Sequence, residues 1–459
     1  MRAVLFLAKW LALLVLVAVT GLFGWLYLAP PELIRVAAGY SAKIVCSNVF
    51  ITGRDDQEVL ALDVQAPGHP ILKFISVSTD VSAGTVTAGL FGVFGRRVAV
   101  DRAGVGCISA PGATQAGVLD VSASQASIVE PQAIWPEGAL VEPSPDPRLA
   151  AILDDPAMTG PGMRAVVVVH DGRIVAERYG EGFSAVTPLL GWSMTKTVTA
   201  AIIGTLVREG VLSIDQKGLF EAWVGDARAE ISIADLLAMS SGLDFNEDYG
   251  DVTDVTRMLY LEPDMARFAA AKPLLAEPGW SYSSGSTLML SRIWQDALGE
   301  PQDAYDWPRQ ALFGPLGMTS AVLEPDATGT FVGSSYLYAT ARDWARFGQF
   351  LLQEGVWDGE QLLPEGYVAW MREEAPLSRG EYGRGHLWLH GPEAGTAEGA
   401  HPDDGFDLPE DAYWLLGHDG QSTVVIPSQN LVVVRLGLTP SKLGYKPQAM
   451  VAALVKALE

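Results

Sequence analysis

Residues 164–179 read Arg-Ala-Val-Val-Val-Val-His-Asp-Gly-Arg-Ile-Val-Ala-Glu-Arg-Tyr, which is two apolar runs separated by Asp171-Gly172. An Asp-Gly pair between apolar runs is a strong signal for a tight hairpin, because both residues tolerate the left-handed conformation that such turns require. A second pair of apolar runs, separated by a turn that contains Pro and Asn, lies at 423–436. We therefore predict two antiparallel hairpins that are far apart in the chain.

The sequence between and after these hairpins is mainly helical. Ser232 with Asp235 and Thr340 with Asp343 have the spacing of a capping box, which marks helix starts. Beyond the second hairpin, apolar residues recur at helical spacing through 447–458, so the chain ends in an amphipathic helix. The expected fold of residues 146–459 is an α/β sandwich. Its antiparallel sheet comes from the N- and C-terminal parts of this region, with flanking helices and a large mainly helical part between them.

Upstream of this region the composition changes twice. From Ile44 to about Ile108 we predict short alternating strands with Gly-rich turns, so residues 31–110 are expected to form a small, mostly-β N-terminal region. Residues 111–145 are rich in Ala, Ser and Pro and read as a Pro-rich linker or wrapping arm. Prolines that oppose regular structure punctuate the end of this stretch, at Pro131, Pro136, Pro143, Pro145 and Pro147.

The first 30 residues have the pattern of a membrane anchor. The run from Trp10 to Leu28 is uncharged and apolar, and it is long enough to cross a bilayer as a helix. Arg2 and Lys9 precede the run and aromatic residues lie near its far end, which favours a cytoplasmic N-terminus. We expect a single-pass protein of a bacterial-type inner membrane with residues 146–459 in the periplasm or outside. A cleaved signal peptide and a buried soluble helix are the alternative interpretations.

The net charge limits the kinds of binding partner that we expect, and the cysteines indicate the redox compartment. The chain has 54 acidic and 31 basic side chains, a net charge of -23, which would repel nucleic acid, so no nucleic-acid partner is expected. Its two cysteines, Cys46 and Cys107, follow the apolar run and should face an oxidising compartment, where a disulfide is expected. Two buried free thiols are the alternative.

The stretch Trp192-Ser193-Met194-Thr195-Lys196 opens an apolar helical run and carries the first candidate chemistry. Residues three apart share one face of a helix, so Ser193 and Lys196 can approach one another. A serine hydroxyl becomes a nucleophile when an adjacent base takes its proton, and an amine can do so once burial lowers its pKa. The Ser-x-x-Lys spacing alone more often corresponds to a helix-capping serine and a surface lysine than to a catalytic pair.

Two later segments add to this candidate site. Residues 278–285 form a turn-rich loop that presents the phenol of Tyr282 beside hydroxyl groups, and a phenol with a depressed pKa can pass protons to a leaving group. Gly417-His-Asp-Gly-Gln421 precedes an apolar strand, and its small residues would let a substrate lie against the strand. The backbone amides of Gln421 and Ser193 could then form an oxyanion hole.

The order Ser-x-x-Lys, Tyr-x-Ser, His-x-Gly resembles that of the class C beta-lactamase-like serine hydrolases. This group includes carboxylesterases, D-amino-acid peptidases and 6-aminohexanoate-dimer hydrolases. The context also resembles the family over most of 146–459, at residues 233–243, 314–318 and 339–348. The resemblance implies that Ser193 is the acylated nucleophile, that Lys196 is its base and that Tyr282 relays a proton to the leaving group.

Two departures from the family pattern bear on the substrate. Penicillin-processing relatives usually carry Lys-Thr-Gly where this chain has His418-Asp-Gly420, and Tyr-x-Asn where it has Tyr-x-Ser284. Loss of the lysine removes a permanent cation from the place where a penicillin carboxylate would bind. We therefore expect esters or linear amides as small-molecule substrates, with Ser284, His418, Gly420 and Gln421 at the substrate or oxyanion positions. Packing roles are the alternatives for Ser284 and His418.

The sequence thus predicts a serine hydrolase that needs no metal or organic cofactor. A metal site at His386, His390 and His401 is not expected. No carboxylate lies at a suitable ligand spacing from them, and the glycines near His386 disfavour the regular helix that the i, i+4 pair of His386 and His390 would need. The alternatives are a cell-wall D-alanyl peptidase or beta-lactamase, and a catalytically silent ligand-binding sensor of the same fold. The complete Ser, Lys and Tyr set favours an enzyme, because a pure binding protein has no need of a base beside a serine.

Overall fold

A computed structural model describes residues 2–110, 130–277 and 279–459 of the chain. These residues divide into two compact units. The first contains residues 2–101, 107–110 and 248–263, and the second contains the other described residues. Residues 248–263 thus belong to the first unit, although they lie within the stretch that the sequence assigns to the hydrolase domain.

The helices of the described residues are α1 Arg2–Leu28, α2 Glu32–Thr52, α3 Asp56–Val59, α4 Pro147–Asp154, α5 Pro156–Thr159, α6 Thr195–Arg208, α7 Ile233–Leu237, α8 Asp254–Leu261, α9 Met265–Ala270, α10 Ser284–Leu298, α11 Pro301–Pro308, α12 Ala341–Leu352, α13 Tyr367–Arg372 and α14 Gln448–Leu458. The strands are β1 Ile75–Asp80, β2 Thr85–Leu90, β3 Phe94–Arg102, β4 Gly106–Ala110, β5 Glu130–Ile134, β6 Gly138–Leu140, β7 Met163–His170, β8 Arg173–Tyr179, β9 Leu189–Leu190, β10 Val322–Leu323, β11 Leu337–Ala339, β12 Val356–Trp357, β13 Glu360–Gln361, β14 Tyr413–Gly417, β15 Gln421–Ile426 and β16 Leu431–Gly437.

Two long apolar helices begin the first unit, and both are long and apolar enough to cross a membrane. None of the most apolar window of α1 is buried, whereas 72% of the most apolar window of α2 is buried within the protein. Helix α2 is therefore a core element of this unit. The strands expected from Ile44 were a wrong prediction, because Ile44 lies in α2 and regular strands begin only at Ile75. Ala-rich apolar residues spread over 21 positions suit a helix better than short strands.

The remainder of the first unit packs around α2. Strands β1 to β4 form an antiparallel meander in that order, and Cys107 of β4 is joined by a disulfide to Cys46 of α2, with Cα atoms 6.0 Å apart. Helix α8 approaches α2 at Gly39, where an added Cβ would lie 3.0 Å from the Tyr260 side chain. An ion pair between Arg257 and Glu32 also joins the two helices.

The second unit is built on a five-stranded sheet in the order β14-β15-β16-β7-β8. Both predicted hairpins are present, and Asp171 and Gly172 adopt the positive φ angles that the first turn requires. Strand β16 pairs antiparallel with β7, with Val433 opposite Val168, so the two ends of the region meet in the middle of the sheet. This confirms the predicted mixed α and β fold with an antiparallel sheet.

The sheet is covered by helices on both faces. Valines such as Val166 and Val433 pack with Leu153 of α4 and Leu454 of α14, and all four are buried. Helix α12 lies against the strands β7, β15 and β16. It comes so close at Gly348 that an added Cβ would lie 2.5 Å from Val432. The predicted C-terminal amphipathic helix is confirmed as α14.

The described end of the predicted linker, from 130 onwards, wraps the second unit. Trp135 is fully buried, and its backbone carbonyl accepts a hydrogen bond of 2.7 Å from Arg173. Arg346 of α12 donates to the carbonyl oxygens of Pro136 and Gly138. Residues 111–129, the rest of that prediction, lie outside the described residues. Because its backbone carbonyls accept hydrogen bonds from Arg173 and from the buried Arg346, the stretch at 135–138 is an integral part of this unit.

The disulfide yields a test of the first unit. Replacing both Cys46 and Cys107 by Ala should lower its free energy of unfolding by about 2–4 kcal/mol, because the cross-link restricts the unfolded chain. Alkylation followed by intact-mass measurement should label neither cysteine without reductant and both after reduction. Two labelled thiols in the sample without reductant would contradict the bridge.

Candidate active site

Ser193 lies at a sharp entry to α6. It is the middle residue of a 3-10 turn, Trp192–Met194, and Trp192 has φ 49°. A left-handed conformation at a bulky residue costs about 1–3 kcal/mol and persists only where packing enforces it. The packing is tight, since an added Cβ on Gly191 would lie 2.1 Å from the Trp344 ring. This turn leaves the Ser193 side chain partly exposed while its neighbours are buried.

Lys196 lies in the first turn of α6 and is 1% exposed. Its Nζ atom is 2.9 Å from Ser193 Oγ, 3.0 Å from Ser284 Oγ and 3.1 Å from the carbonyl oxygen of Ser334. The predicted approach of Ser193 and Lys196 is therefore present. A neutral amine has two N–H donors and one lone pair, so it can serve two of these three partners as donor and the third as acceptor.

Glu247 decides which partner receives the lone pair. Its carboxylate accepts hydrogen bonds from the backbone amide of Ser284, at 2.7 Å, and from the Ser284 hydroxyl, at 2.5 Å. The hydroxyl of Ser284 has a single proton, and that proton points at Glu247. Lys196 must therefore donate to Ser284, and also to the carbonyl of Ser334, which only accepts. The lone pair of a neutral Lys196 is left facing the hydroxyl of Ser193.

The electrostatics of Lys196 and Glu247 are linked. Burial lowers the pKa of Lys196 to about 8, and the negative charge of Glu247 works against that decrease. Burial also raises the pKa of Glu247, although Lys196 and the two hydrogen bonds from Ser284 oppose the rise. The positive end of α6 further disfavours a proton on Lys196. About half of this lysine is thus neutral near pH 8, and a lysine must be neutral to act as a base.

Tyr282 stands beside both groups. Its hydroxyl is hydrogen-bonded to the Ser193 side chain, and Lys196 Nζ lies 4.7 Å from the centre of its ring. Burial first, and then the charge of Glu247, raise the pKa of Tyr282 well above its ordinary value. The depressed pKa considered from the sequence was wrong in direction. Tyr282 is a neutral phenol at physiological pH, so it can donate a proton or a hydrogen bond.

An aromatic cluster borders Tyr282. The Trp388 ring lies 5.2 Å from the Tyr282 ring, and Tyr382 and Trp280 pack against the same group. These residues, together with Ala238, Met239 and Ala375, form a small apolar cluster of their own. Trp414 is instead fully buried in the core of the sheet.

The stretch from Gly417 to Gln421 lies against the turn that carries Ser193. An added Cβ on Gly417 would lie 2.2 Å from the carbonyl oxygen of Gly191, and the His418 and Trp192 rings are 5.5 Å apart. These contacts place the start of β15 beside Ser193. The substrate role predicted for this stretch stays a prediction. The side chain of Gln421 is engaged internally, since its amide donates to the carbonyls of His418 and Gly437. Only its backbone amide is a candidate for the oxyanion hole.

Two further residues of the predicted site have structural partners. The carbonyl of Gly420 accepts a hydrogen bond of 2.9 Å from Arg435, a buried arginine that also donates to Thr159 and Pro161. Ser284 is fully buried between Lys196 and Glu247. Its hydroxyl proton is therefore committed inside the protein, which differs from the substrate contact predicted for it.

A cavity of about 310 Å³ opens at the same edge of the sheet. Its lining includes His418, Gly420, Trp388 and Tyr445, and among the described residues it does not include Ser193. His386, one of the histidines considered for a metal, is separate from it. His386 is buried with Nε2 3.0 Å from the Thr287 hydroxyl, and burial lowers its pKa to about 3, so it is a neutral structural residue.

Sequence reasoning missed Glu247 and Ser334. Glu247 is one acidic residue in a polar loop, Asn246-Glu247-Asp248, and nothing in its neighbourhood distinguishes it from a solvated charge. Ser334 contributes only a backbone carbonyl, and the pattern of side chains in a sequence cannot predict such a contact. Both residues reach Lys196 through long-range folding, so a single sequence carries no local signal for them.

Comparisons with known proteins identify the family and the fold. The family model described as Beta-lactamase matches residues 154–446. A 6-aminohexanoate-dimer hydrolase of Paenarthrobacter ureafaciens is 24% identical over 314 residues, covering 60% of this chain and 72% of the relative. Among solved structures, a class C beta lactamase of Rhodobacter sphaeroides is 16% identical with a TM-score of 0.50, covering 68% of this chain and 99% of that one. FmtA of Staphylococcus aureus is 15% identical with a TM-score of 0.51, covering 70% and 93%. The two structures share the fold of this chain.

The link between Lys196 and Glu247 can be tested with a fluorophosphonate that labels Ser193. The labelling rate should rise with pH and level off above a midpoint near pH 8, because only neutral Lys196 can take the serine proton. In Glu247→Gln the midpoint should move to lower pH, because the charge that favours protonated Lys196 is gone. The labelling rate at the high-pH plateau should also fall by about tenfold or more. The amide N–H of Gln would donate to the Ser284 hydroxyl, which would then turn its own proton toward Lys196 and occupy the lone pair that Ser193 needs.

Glu354→Gln is the matched control, since Glu354 pairs with Arg372 and has no contact with the network. It should leave the midpoint and plateau unchanged. An unshifted midpoint in Glu247→Gln would disprove the electrostatic link.

Proposed function

Since this chain belongs to the beta-lactamase family, we propose that it is a serine hydrolase that cleaves esters or linear amides through an acyl-enzyme on Ser193. One observation carries the proposal. The hydrogen bonds of Ser284, Glu247 and Ser334 leave the lone pair of Lys196 directed at the Ser193 hydroxyl. A base that is buried, partly neutral and aimed at a serine is what nucleophilic catalysis requires.

In the first half of the reaction, Lys196 takes the proton of Ser193 while Oγ bonds to the substrate carbonyl carbon. The carbonyl oxygen becomes negative, and the backbone amides of Ser193 and Gln421 are the proposed donors to it. The carbon to leaving-group bond then breaks, and Tyr282 supplies a proton to the departing oxygen or nitrogen. The acylated oxygen of Ser193 has no proton to relay, so the water molecule that enters as the leaving group departs carries the proton held by Lys196 to the Tyr282 phenolate.

In the second half, a water molecule attacks the ester carbonyl on Ser193. The same network accepts a proton from the water and returns one to Oγ, which leaves a free acid and the starting enzyme. No cofactor enters this proposed scheme, because acyl transfer to water changes no oxidation state. The high pKa of Tyr282 suits its role, since a neutral phenol can protonate a leaving group and is regenerated afterwards.

The substrate class follows from charge and from the surroundings of the site. The position next to the Ser193 turn is occupied by His418, with Asp419 Oδ2 3.6 Å from its Nε2 atom, so no fixed lysine cation is available for a substrate carboxylate. The aromatic cluster around Tyr282 and Trp388 favours an apolar acyl or leaving group. The 6-aminohexanoate-dimer hydrolase relative is consistent with a linear amide, since its named substrate is an amide of two amino acids.

We also propose that α1 anchors the protein in a membrane, with the hydrolase unit on the outer side. None of the most apolar part of α1 is buried, so most of its surface is left without a partner among the described residues. Arg2 and Lys9 at its start favour a cytoplasmic N-terminus. The disulfide in the first unit supports an oxidising compartment for the remainder of the chain.

The central step is tested by Ser193→Ala. Hydrolysis of nitrophenyl butyrate should fall by at least about a thousandfold, while the fold is retained because the hydroxyl is partly exposed. The parent protein treated with a fluorophosphonate should gain one adduct, which peptide mass spectrometry should locate on Ser193. Near-parental turnover in the variant, or an adduct elsewhere, would reject the proposal.

The substrate preference is tested at His418. The parent should hydrolyse nitrophenyl butyrate at least about tenfold more efficiently than nitrocefin in kcat/KM, a difference of about 1.4 kcal/mol in transition-state binding. His418→Lys should move this ratio toward nitrocefin, because an ammonium recovers the desolvation of a carboxylate better than an imidazole. His418→Gln is the control for size and should not move it. A parent that prefers nitrocefin would reject the assignment.

A further inference from the structure

The turn between β2 and β3 contains an unexpected residue. Phe91 adopts φ 51° and Gly92 adopts φ 72°, so both lie in the left-handed region. Asn, Asp or Gly is the usual choice at such a position, and a bulky side chain there is strained. Phe91 is nevertheless 62% exposed, so packing among the described residues does not account for it. The folding of the turn alone gives no reason for a phenylalanine.

Phe91 belongs to an exposed apolar patch. The Phe74 ring lies 5.7 Å from the Phe91 ring and is 53% exposed, and Val93 is also largely exposed. The backbone amide of Phe91 donates to the carbonyl of Phe74 at 2.8 Å, which fixes the two residues together. We call Phe74, Phe91 and Val93 the apolar tip. Two exposed basic side chains, Lys73 and Arg96, flank it in sequence.

The apolar tip lies at the end of the first unit where α1 and α2 meet. Phe94, just beyond the tip, packs its ring 5.5 Å from that of Phe23 near the C-terminal end of α1. An added Cβ on the next residue, Gly95, would lie 2.7 Å from the side chain of Ile34 at the start of α2. Tyr27 lies near the same end of α1, where an aromatic residue suits the membrane interface.

We propose that the apolar tip inserts into the outer surface of the membrane that α1 spans, as a second contact beside the anchor. This inference rests on the proposed anchoring by α1. Exposed phenylalanines that project from a turn and are flanked by basic residues suit the boundary between acyl chains and anionic headgroups. Residues 31–110 carry as many basic as acidic side chains, whereas the whole chain has a net charge of -23. Residues 31–110 are therefore a part of the chain whose net charge does not repel anionic lipid.

The same pair of strands provides an internal reference. Asp80 pairs with Thr85 at the opposite end of β1 and β2, next to a turn that contains the exposed Val81. Five strand positions separate Asp80 from Ile75, so Val81 lies roughly 20 Å from the tip. A membrane contact at the tip should leave Val81 in water. Val81 is apolar and even more exposed than the tip residues, so exposure alone would not protect its label from the membrane, which makes it a matched control.

The test places an environment-sensitive fluorophore, NBD, on single cysteines in the full chain. Phe91→Cys, Val81→Cys and Tyr27→Cys are labelled without reductant, which keeps the native disulfide closed. The proteins are reconstituted in vesicles of phosphatidylcholine and phosphatidylglycerol that contain doxyl-labelled lipid. The proposal expects the label at 91 to be quenched at least about threefold more strongly than the label at 81, and the label at 27 to be quenched as well.

A second variant separates a structural role from a membrane role. In Phe91→Asn the left-handed turn is favoured, so stability should be kept while the apolar ring is lost. Quenching of a label at Val93→Cys should then decrease in the Asn background. If the label at 27 is quenched but that at 91 is not, the tip proposal fails and the anchor stands. If neither is quenched, both fail.

Discussion

Burial of an amine next to a serine is the constraint on which the rest of the site depends. Removing a lysine from water favours its neutral form, and here that effect brings its pKa to about 8. A buried amine must still satisfy its hydrogen-bonding atoms, and Lys196 has three oxygen partners at 2.9–3.1 Å. Glu247 partly restores the charged form and fixes the direction of the hydrogen bonds. The protonation state of Lys196 thus depends on a balance between desolvation and the nearby charge of Glu247.

The fold supplies the rigidity that this balance needs. Pairing of β7 with β16 joins the two hairpins into one sheet. The β14–β15 hairpin of this sheet lies against the turn that contains Ser193. Gly191 and Gly417 permit that approach, because an added Cβ on either would overlap a neighbour at 2.1–2.2 Å. Strain at Trp192 is retained by the same close packing. The site therefore rests on a helix, a strand edge and a loop that are all held by the core.

The sequence predicted the elements whose signals are local. Both hairpins, the C-terminal helix and the proximity of Ser193 to Lys196 follow from turn residues and periodicity. The sequence-based prediction was wrong for α2. An apolar, Ala-rich run is compatible with either a strand or a helix, and only the length and burial seen in the structure decide between them. The sequence also could not reveal Glu247, because the contact of Glu247 with Ser284 spans 37 residues and depends on a loop path. Long-range contacts of this kind leave no pattern in one chain.

Serine at position 284 changes what the loop can do. A hydroxyl has one proton and two acceptor sites, and Glu247 takes the proton while Lys196 uses an acceptor site. Nothing remains with which Ser284 could donate to a substrate carbonyl, whereas the asparagine usual in penicillin-processing relatives would bring two further amide donors. In the proposed mechanism, substrate recognition therefore falls to other groups, chiefly the edge of β15 and the aromatic rings around Tyr282. In the proposed mechanism, Ser284 in place of Asn therefore acts on the protonation state of Lys196 rather than on substrate binding, and this is consistent with the absence of a lysine at 418.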